Sequence, residues 1–345
     1  MPHPRRHFVQ ALAAGTAAAA LPSAQAARPA ALYAKRLQPG DTIGLVSPAN
    51  ATYEREPVQI AIEALQALGF KVKPGAHLRA RYGQFAGTDA QRAADINAMF
   101  ADDEVAGIMA LTGGSGCNRI VDKLDYALIR RRPKFFGGFS DLTCLLNAIQ
   151  QQTGLVTFHG PVAASEWNPF SVAHFKALVM EGQAMLLRNP QGERGEHLVQ
   201  TQDRTTTLRS GRARGRLLGG NLAVLSSLAG SAYFPDCRGA ILFLEEINEY
   251  IYRVDRMLST LRLAGALGGL AGVVLGKFTK CEPGDGYGTL TLDEVFDDYF
   301  LPLQVPVYRG AMIGHIKRKF TVPVGLDAEI DADAGTLQLL RPAVG

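Results

Sequence analysis

Cysteine is scarce in this chain of 345 residues, with only four. Cys117, Cys144, Cys237 and Cys281 are scattered and form no Cys-x-x-Cys pair. Their spacing argues against a structural zinc site and offers no disulfide framework. Cys144 falls inside an apolar-periodic segment, where a free thiol packs as core. An excess of one charge is lacking too: Lys plus Arg number 36 and Asp plus Glu 32, a formal net charge of +4. No basic cluster is dense enough for a nucleic-acid footprint. The longest run, Arg130-Arg131-Arg132, reads as the solvated end of a helix. The chain has no internal repeats, and its most apolar early stretch is too short to span a bilayer.

What is present is enough apolar residue, 47% of the chain against 20% charged, to bury large cores. The length suits two domains. Residues 1–26 read as an address. Pro4-Arg5-Arg6-His7-Phe8 leads into an Ala-rich middle and ends in Ala24-Gln25-Ala26. A basic start, a mildly apolar centre and an Ala-x-Ala end make a secretory signal. The paired arginines resemble the twin-arginine type. This predicts a periplasmic protein, with the cytoplasm as its place if the signal is unused. An Ala-rich disordered tail is the plainer alternative.

Residues 40–165 alternate strand and helix. Asp41 to Ala49 is an apolar run ending in turn residues, 55–69 is helical by spacing, and Phe70-Lys71-Val72-Lys73 alternates as a strand. A helix from Asp89 to Phe100 and a strand from Val105 to Leu111 follow, then Thr112-Gly113-Gly114-Ser115-Gly116 and a helix carrying Asn118 to Val121. This order predicts a parallel sheet covered on both faces, with ligands at the carboxyl ends of its strands. The glycine turn at 113–116 matches neither a dinucleotide fingerprint nor a P-loop. By itself it is an ordinary tight turn.

The stretch Lys134-Phe135-Phe136-Gly137-Gly138-Phe139-Ser140-Asp141-Leu142-Thr143 is a buried strand, a turn and the start of a helix. Ser140 sits in the turn, beside the N–H groups that a helix start leaves unpaired. Two readings compete. Ser140 is an N-cap, or it is a nucleophile at an elbow with oxyanion donors beside it. Val156 to Val162 adds a strand holding His159, a histidine of structural type.

Residues 166–212 turn polar and irregular and read as a linker between domains. The second domain, 213–345, opens with Gly219-Gly220-Asn221-Leu222 and a helix through Leu228. The buried strand Gly239 to Leu244 runs into Glu245-Glu246-Ile247-Asn248-Glu249. Those carboxylates are a solvated strand end, or one of them is held in a cleft to orient a histidine. A helix from Tyr252 to Leu263 and a strand from Leu270 to Lys277 follow. Val305 to His315 reads as a strand with a histidine at its end, and 319–341 as short strands.

Seven segments in order carry a resemblance. They are Gln84 to Thr88, Gly113-Gly114-x-Gly116, Gly138 to Thr143, Thr157-Phe158-His159-Gly160-Pro161, Gly219 to Leu222, Leu244 to Glu249, and Gly314-His315. Together they resemble the LD-carboxypeptidases (muramoyltetrapeptide carboxypeptidases), a serine peptidase family that also holds microcin-immunity peptidases. The resemblance implies an α/β fold: a parallel-sheet amino-terminal domain of flavodoxin or amidotransferase type, a smaller mixed carboxy-terminal domain, and a site between them. It implies Ser140 as nucleophile, His315 as general base and Glu245 as the residue orienting it. Gly114 and Asp141 would give the backbone oxyanion donors. Ser115 and Arg119 are candidate substrate contacts, though an arginine on a helix surface is also simply solvated. No metal or organic cofactor is implied, and family members are usually homodimers. The implied activity is release of D-alanine from murein tetrapeptides. The alternatives are cleavage of amidated peptide–nucleotides, as in microcin immunity, and a periplasmic peptide-binding protein without turnover. Ser115 and Thr112 stand where family members often carry tyrosine and arginine.

Overall fold

A computed structural model describes residues 29–285 and 288–345. The signal reading of residues 1–26 lies outside the described residues. The first half of the chain forms β1 (Thr42–Val46), α1 (Arg55–Ala67), β2 (Lys71–Pro74), α2 (Asp89–Ala101), β3 (Val105–Ala110), α3 (Tyr126–Arg131), β4 (Phe135–Gly138), α4 (Thr143–Thr153) and β5 (Thr157–His159). Then come α5 (Pro169–Phe175), β6 (Leu186–Arg188), β7 (Thr206–Arg209), β8 (Arg212–Asn221), α6 (Leu222–Ser226), β9 (Ala240–Ile247), α7 (Ile251–Leu263) and β10 (Gly272–Thr279). The chain closes with α8 (Leu292–Phe300), β11 (Val307–Arg309), β12 (Val322–Val324), β13 (Asp327–Asp331) and β14 (Thr336–Leu339).

Local chemistry explains the helices that frame the site. α1 buries Val58, Ala61 and Leu65, one face at helical spacing. α2 starts at a capping box in which Thr88 and Gln91 satisfy each other's backbone donors. β3 and β4 are buried almost throughout, as strands covered on both faces must be.

The first sheet has the order β12-β5-β4-β3-β1-β2. Its five early strands are all parallel, and β12 is antiparallel to β5. The strand order reverses between β1 and β3, the place where such sheets bind ligands. The second sheet has the order β6-β14-β13-β8-β9-β10-β11-β7. Its centre, β8 to β11, is parallel, and antiparallel strands close both sides.

Three expectations change. The segment 166–212 is no bare linker: it holds α5 and supplies both edge strands of the second sheet, β6 and β7. The helix expected at 118–121 is two separate 3-10 turns, Cys117–Arg119 and Val121–Lys123. The strand expected to reach His315 stops at Arg309. Beyond it the chain leaves the sheet, and β12 crosses back to join the first one.

Candidate active site

Ser140 opens a 3-10 turn directly after β4 and before α4. Its φ is 64°, a left-handed conformation that non-glycine residues rarely adopt. Strain of this kind persists only where surrounding structure imposes it. Here it lifts the hydroxyl above the sheet edge, as at a nucleophile elbow. The N-cap reading fails: the cap position is Phe139, and no side chain caps the turn. Gly113 lies against the serine, and a Cβ there would come within 3.0 Å of Ser140 Cβ.

The Ser140 hydroxyl is 2.9 Å from His315 Nε2, and His315 Nδ1 is 2.8 Å from Glu245 Oε2. Glu245 stands near the end of β9, fully buried. Burial pushes its carboxyl up, but the His159 and His315 imidazoles outweigh that and hold it at about 2. The carboxylate is therefore ionised, so His315 Nδ1–H donates to it and Nε2 accepts from Ser140. Gly314 makes the approach possible. Its φ is +123°, and a Cβ there would fall 2.9 Å from Glu245 Oε2.

Alternation along β9 sends Glu246 elsewhere. It accepts from Asn221 Nδ2 at 2.8 Å, the Ala223 N–H at 2.7 Å and the Ile247 N–H at 2.8 Å. Burial still pushes its carboxyl up to about 7. Glu246 thus braces the start of α6, and Glu245 faces the histidine. His159, read from the sequence as structural, is buried with Nε2 3.8 Å from Glu245 Oε1. Neither of those two atoms has a hydrogen-bond partner among the described residues.

The turn after β3 is fixed by Asn50, which sequence reasoning did not single out. Its N–H donates to the Gly113 carbonyl at 3.3 Å, and its Oδ1 accepts from the Ser115 N–H at 3.0 Å. A Cβ on Gly114 would fall 2.1 Å from Asn50 Cγ, so only glycine fits beneath that side chain. Asp141 ties the same turn to the elbow by accepting from the Cys117 N–H at 2.8 Å. Burial raises its carboxyl.

A cavity of about 850 Å³ opens over these groups, lined among others by Asn50, Gly113, Gly114, Ser140, His315 and Lys319. Neither Ser115 nor Arg119 lines it. Arg119 is committed elsewhere: its guanidinium grips the Asp89 carboxylate at 3.0 Å and lies over the Phe85 ring. The structure therefore places the candidate Arg119 outside the wall of this cavity. Lys319 takes its place in the cavity wall; nothing in the sequence but its nearness to His315 hints at this. Among the described residues no group of three or more side chains could hold a metal ion, and no helix is long and apolar enough to cross a membrane.

A strained serine, an imidazole and a buried carboxylate in one hydrogen-bonded line, set between two α/β sheets, is the arrangement of a serine hydrolase. Comparison with known proteins narrows the class. A model described as LD-carboxypeptidase N-terminal domain matches residues 43–160, and one described as LD-carboxypeptidase C-terminal domain matches residues 214–330. The chain belongs to the LD-carboxypeptidase family. It is 37% identical over 304 residues to a probable murein peptide carboxypeptidase of Bacillus subtilis, covering 86% of this chain and 91% of that one. Among solved structures it resembles the microcin C7 self-immunity protein, with TM-score 0.81 and 28% identity over 91% of this chain and all of that one. It also resembles the muramoyltetrapeptide carboxypeptidase of Oxalobacter formigenes, with TM-score 0.74 and 29% identity over 86% and 97%.

Proposed function

We propose that this enzyme is a serine LD-carboxypeptidase that releases C-terminal D-alanine from murein tetrapeptides. One observation carries the reading: the unbroken line from Glu245 through His315 to Ser140, at 2.8 and 2.9 Å, on the wall of an open cavity. The name of the Bacillus relative supports the substrate class.

In this reading Ser140 Oγ attacks the carbonyl between diaminopimelate and D-alanine while His315 Nε2 takes its proton. Glu245 holds the tautomer and stabilises the imidazolium. The Gly114 and Asp141 N–H groups meet the oxyanion, each contributing on the order of 2.7–4 kcal/mol. The C–N bond then breaks, and His315 returns the proton to the leaving amine. Water, deprotonated by His315, cleaves the acyl-enzyme and restores Ser140. No step needs a metal or organic cofactor.

The test is D-alanine release from purified murein tetrapeptide, with Ser140→Ala as control. Release that vanishes in the control supports both activity and nucleophile; no release from folded protein overturns the murein reading. A structure of the microcin C7 self-immunity protein in complex with aspartyl sulfamoyl adenosine, with TM-score 0.80 to this chain, favours a second substrate, an amidated peptide–nucleotide. Cleavage of that compound and not of the tetrapeptide would select it. Labelling of Ser140 by a fluorophosphonate distinguishes either enzyme from a peptide-binding protein without turnover.

The Arg5-Arg6 start and Ala24-Gln25-Ala26 end support a further part of the reading: residues 1–26 are a twin-arginine signal, and the enzyme works in the periplasm; its family resemblance supports a homodimer. Cell fractionation with N-terminal sequencing tests the first point and sedimentation of the mature protein the second.

A further inference from the structure

The relay explains how an amide is cut, but a carboxypeptidase must also recognise that its chain ends there. The terminal carboxylate leaves water when it enters the cavity, and it needs a cation or several donors to meet it. Of the cavity's basic side chains, His315 is engaged with Ser140 and Glu245. Lys317 is exposed and pairs with Glu166 at 3.3 Å.

Lys319 differs from both. It is only 7% exposed, yet it lines the cavity. Its N–H donates to Ser171 Oγ at 3.1 Å, which fixes the backbone. Its ammonium sits 3.8 Å from the centre of the Phe139 ring, immediately beside the nucleophile in the chain. That ring is in turn 4.9 Å from the His315 ring. Among the described residues the ammonium makes no hydrogen bond or ion pair; it rests on the aromatic face, with the Glu245 and Glu166 carboxylates favouring its charge from farther off. A buried charge without a partner destabilises the protein that carries it. A methionine would fill the same space without that cost. The charge makes physical sense when an anion completes it.

We propose that Lys319 binds the C-terminal carboxylate of the substrate and so restricts the enzyme to free chain ends. The proposal rests on the murein reading above and names the group that reading left unassigned. The leaving D-alanine would then lie between the Lys319 ammonium and Ser140, with the rest of the peptide on the far side of the scissile carbonyl.

The test is a calorimetric titration of the Ser140→Ala protein with murein tetrapeptide as the free acid and as its C-terminal carboxamide. A charge-assisted hydrogen bond predicts that the acid binds roughly 10- to 100-fold more tightly. In Ser140→Ala/Lys319→Met that preference vanishes, and Lys319→Arg restores part of it. Thermal unfolding supplies the second readout: Lys319→Met melts no lower than its parent, since it loses an unpaired buried charge. A preference that survives Lys319→Met overturns the assignment and leaves the murein reading standing. So does a parent protein that binds both forms equally. A parent that binds neither form overturns the reading and the assignment with it.

Discussion

Glu245 is asked to do two things, and both are visible in how it titrates. Its folded carboxyl sits at about 2, against an ordinary value of 4.5. A lowered carboxyl contributes stability that is complete above the unfolded value and is lost as pH falls toward the folded one. The wild-type protein therefore loses stability between about pH 4.5 and 2. Glu245→Gln lacks that contribution, and denaturant titrations at pH 5.5 and 3 measure the difference. The same change lets an amide NH2 face His315 Nδ1 and favours the wrong tautomer. By analogy with other triads, kcat should fall by about 10⁴-fold while unfolding stays cooperative. Lys319 gives a limb at the other end. Burial lowers its ammonium to about 8, although Glu245 and Glu166 favour the charge. Lys317, His315 and Glu54 also face this cavity. Lys319 is charged below pH 8 and neutral above, so kcat/KM for a free-acid peptide falls as pH rises through about 8. That limb is absent in Lys319→Met; a limb that persists belongs to another group. The triad was legible in the sequence only through the family resemblance: the residues alone left Ser140 open between cap and nucleophile and did not choose among the carboxylates after Leu244. Lys319 was not, since its burial depends on β12 folding back, which no local pattern records.

At the scale of elements, two consecutive glycines decide how closely the halves of the site approach. Gly219 and Gly220 close β8 with φ of +134° and +137°. A Cβ on Gly219 would fall 1.9 Å from the Phe243 carbonyl oxygen on β9. One on Gly220 would fall 2.5 Å from Thr143 Oγ1, at the start of the nucleophile's helix, and 3.1 Å from His159 Cδ2. Gly220→Ala therefore meets both a forbidden torsion and a clash, and destabilises by roughly 2–4 kcal/mol. Thermal unfolding measures this, and kcat should drop as α4 and β8 separate. An alanine variant with wild-type stability and rate would refute the close-approach argument. The sequence marked this motif but not its reason. It placed most strands and helices because their apolar periodicities are strong. It failed at 118–121, where the Gly116 carbonyl is held by Arg92 and the Cys117 N–H by Asp141, so the chain tightens into 3-10 turns. It failed after Arg309 because Gly310 to Gly314 must leave the sheet to carry His315 over Glu245.

Over the whole molecule the catalytic line crosses from one sheet to the other. Ser140 follows a strand of the first sheet, Glu245 lies on the second, and His315 hangs on the loop that leads from β11 of the second back to β12 of the first. The halves must hold register to within a hydrogen bond, and the polar segment 166–212 is one reason they do. Its edge strands, Leu186–Arg188 and Thr206–Arg209, are too short for periodicity to reveal, which is why the sequence reads the segment as a linker. The other reason is Asn147 in α4. Buried, it donates to the Gly219 carbonyl at 2.8 Å and accepts from the Gly219 N–H at 3.2 Å. The Asn221 N–H donates to Thr143 Oγ1 one turn earlier. Asn147→Leu keeps the volume but strips both Gly219 groups of their partner, at about 1–3 kcal/mol for each buried group left unpaired. Because β12 and α4, on the first sheet, also pack against β8 of the second, the loss should appear as a lower midpoint in one calorimetric transition, with kcat reduced more than KM is raised. Separation into two transitions would show instead that each sheet unfolds independently and that Asn147 only joins two finished domains.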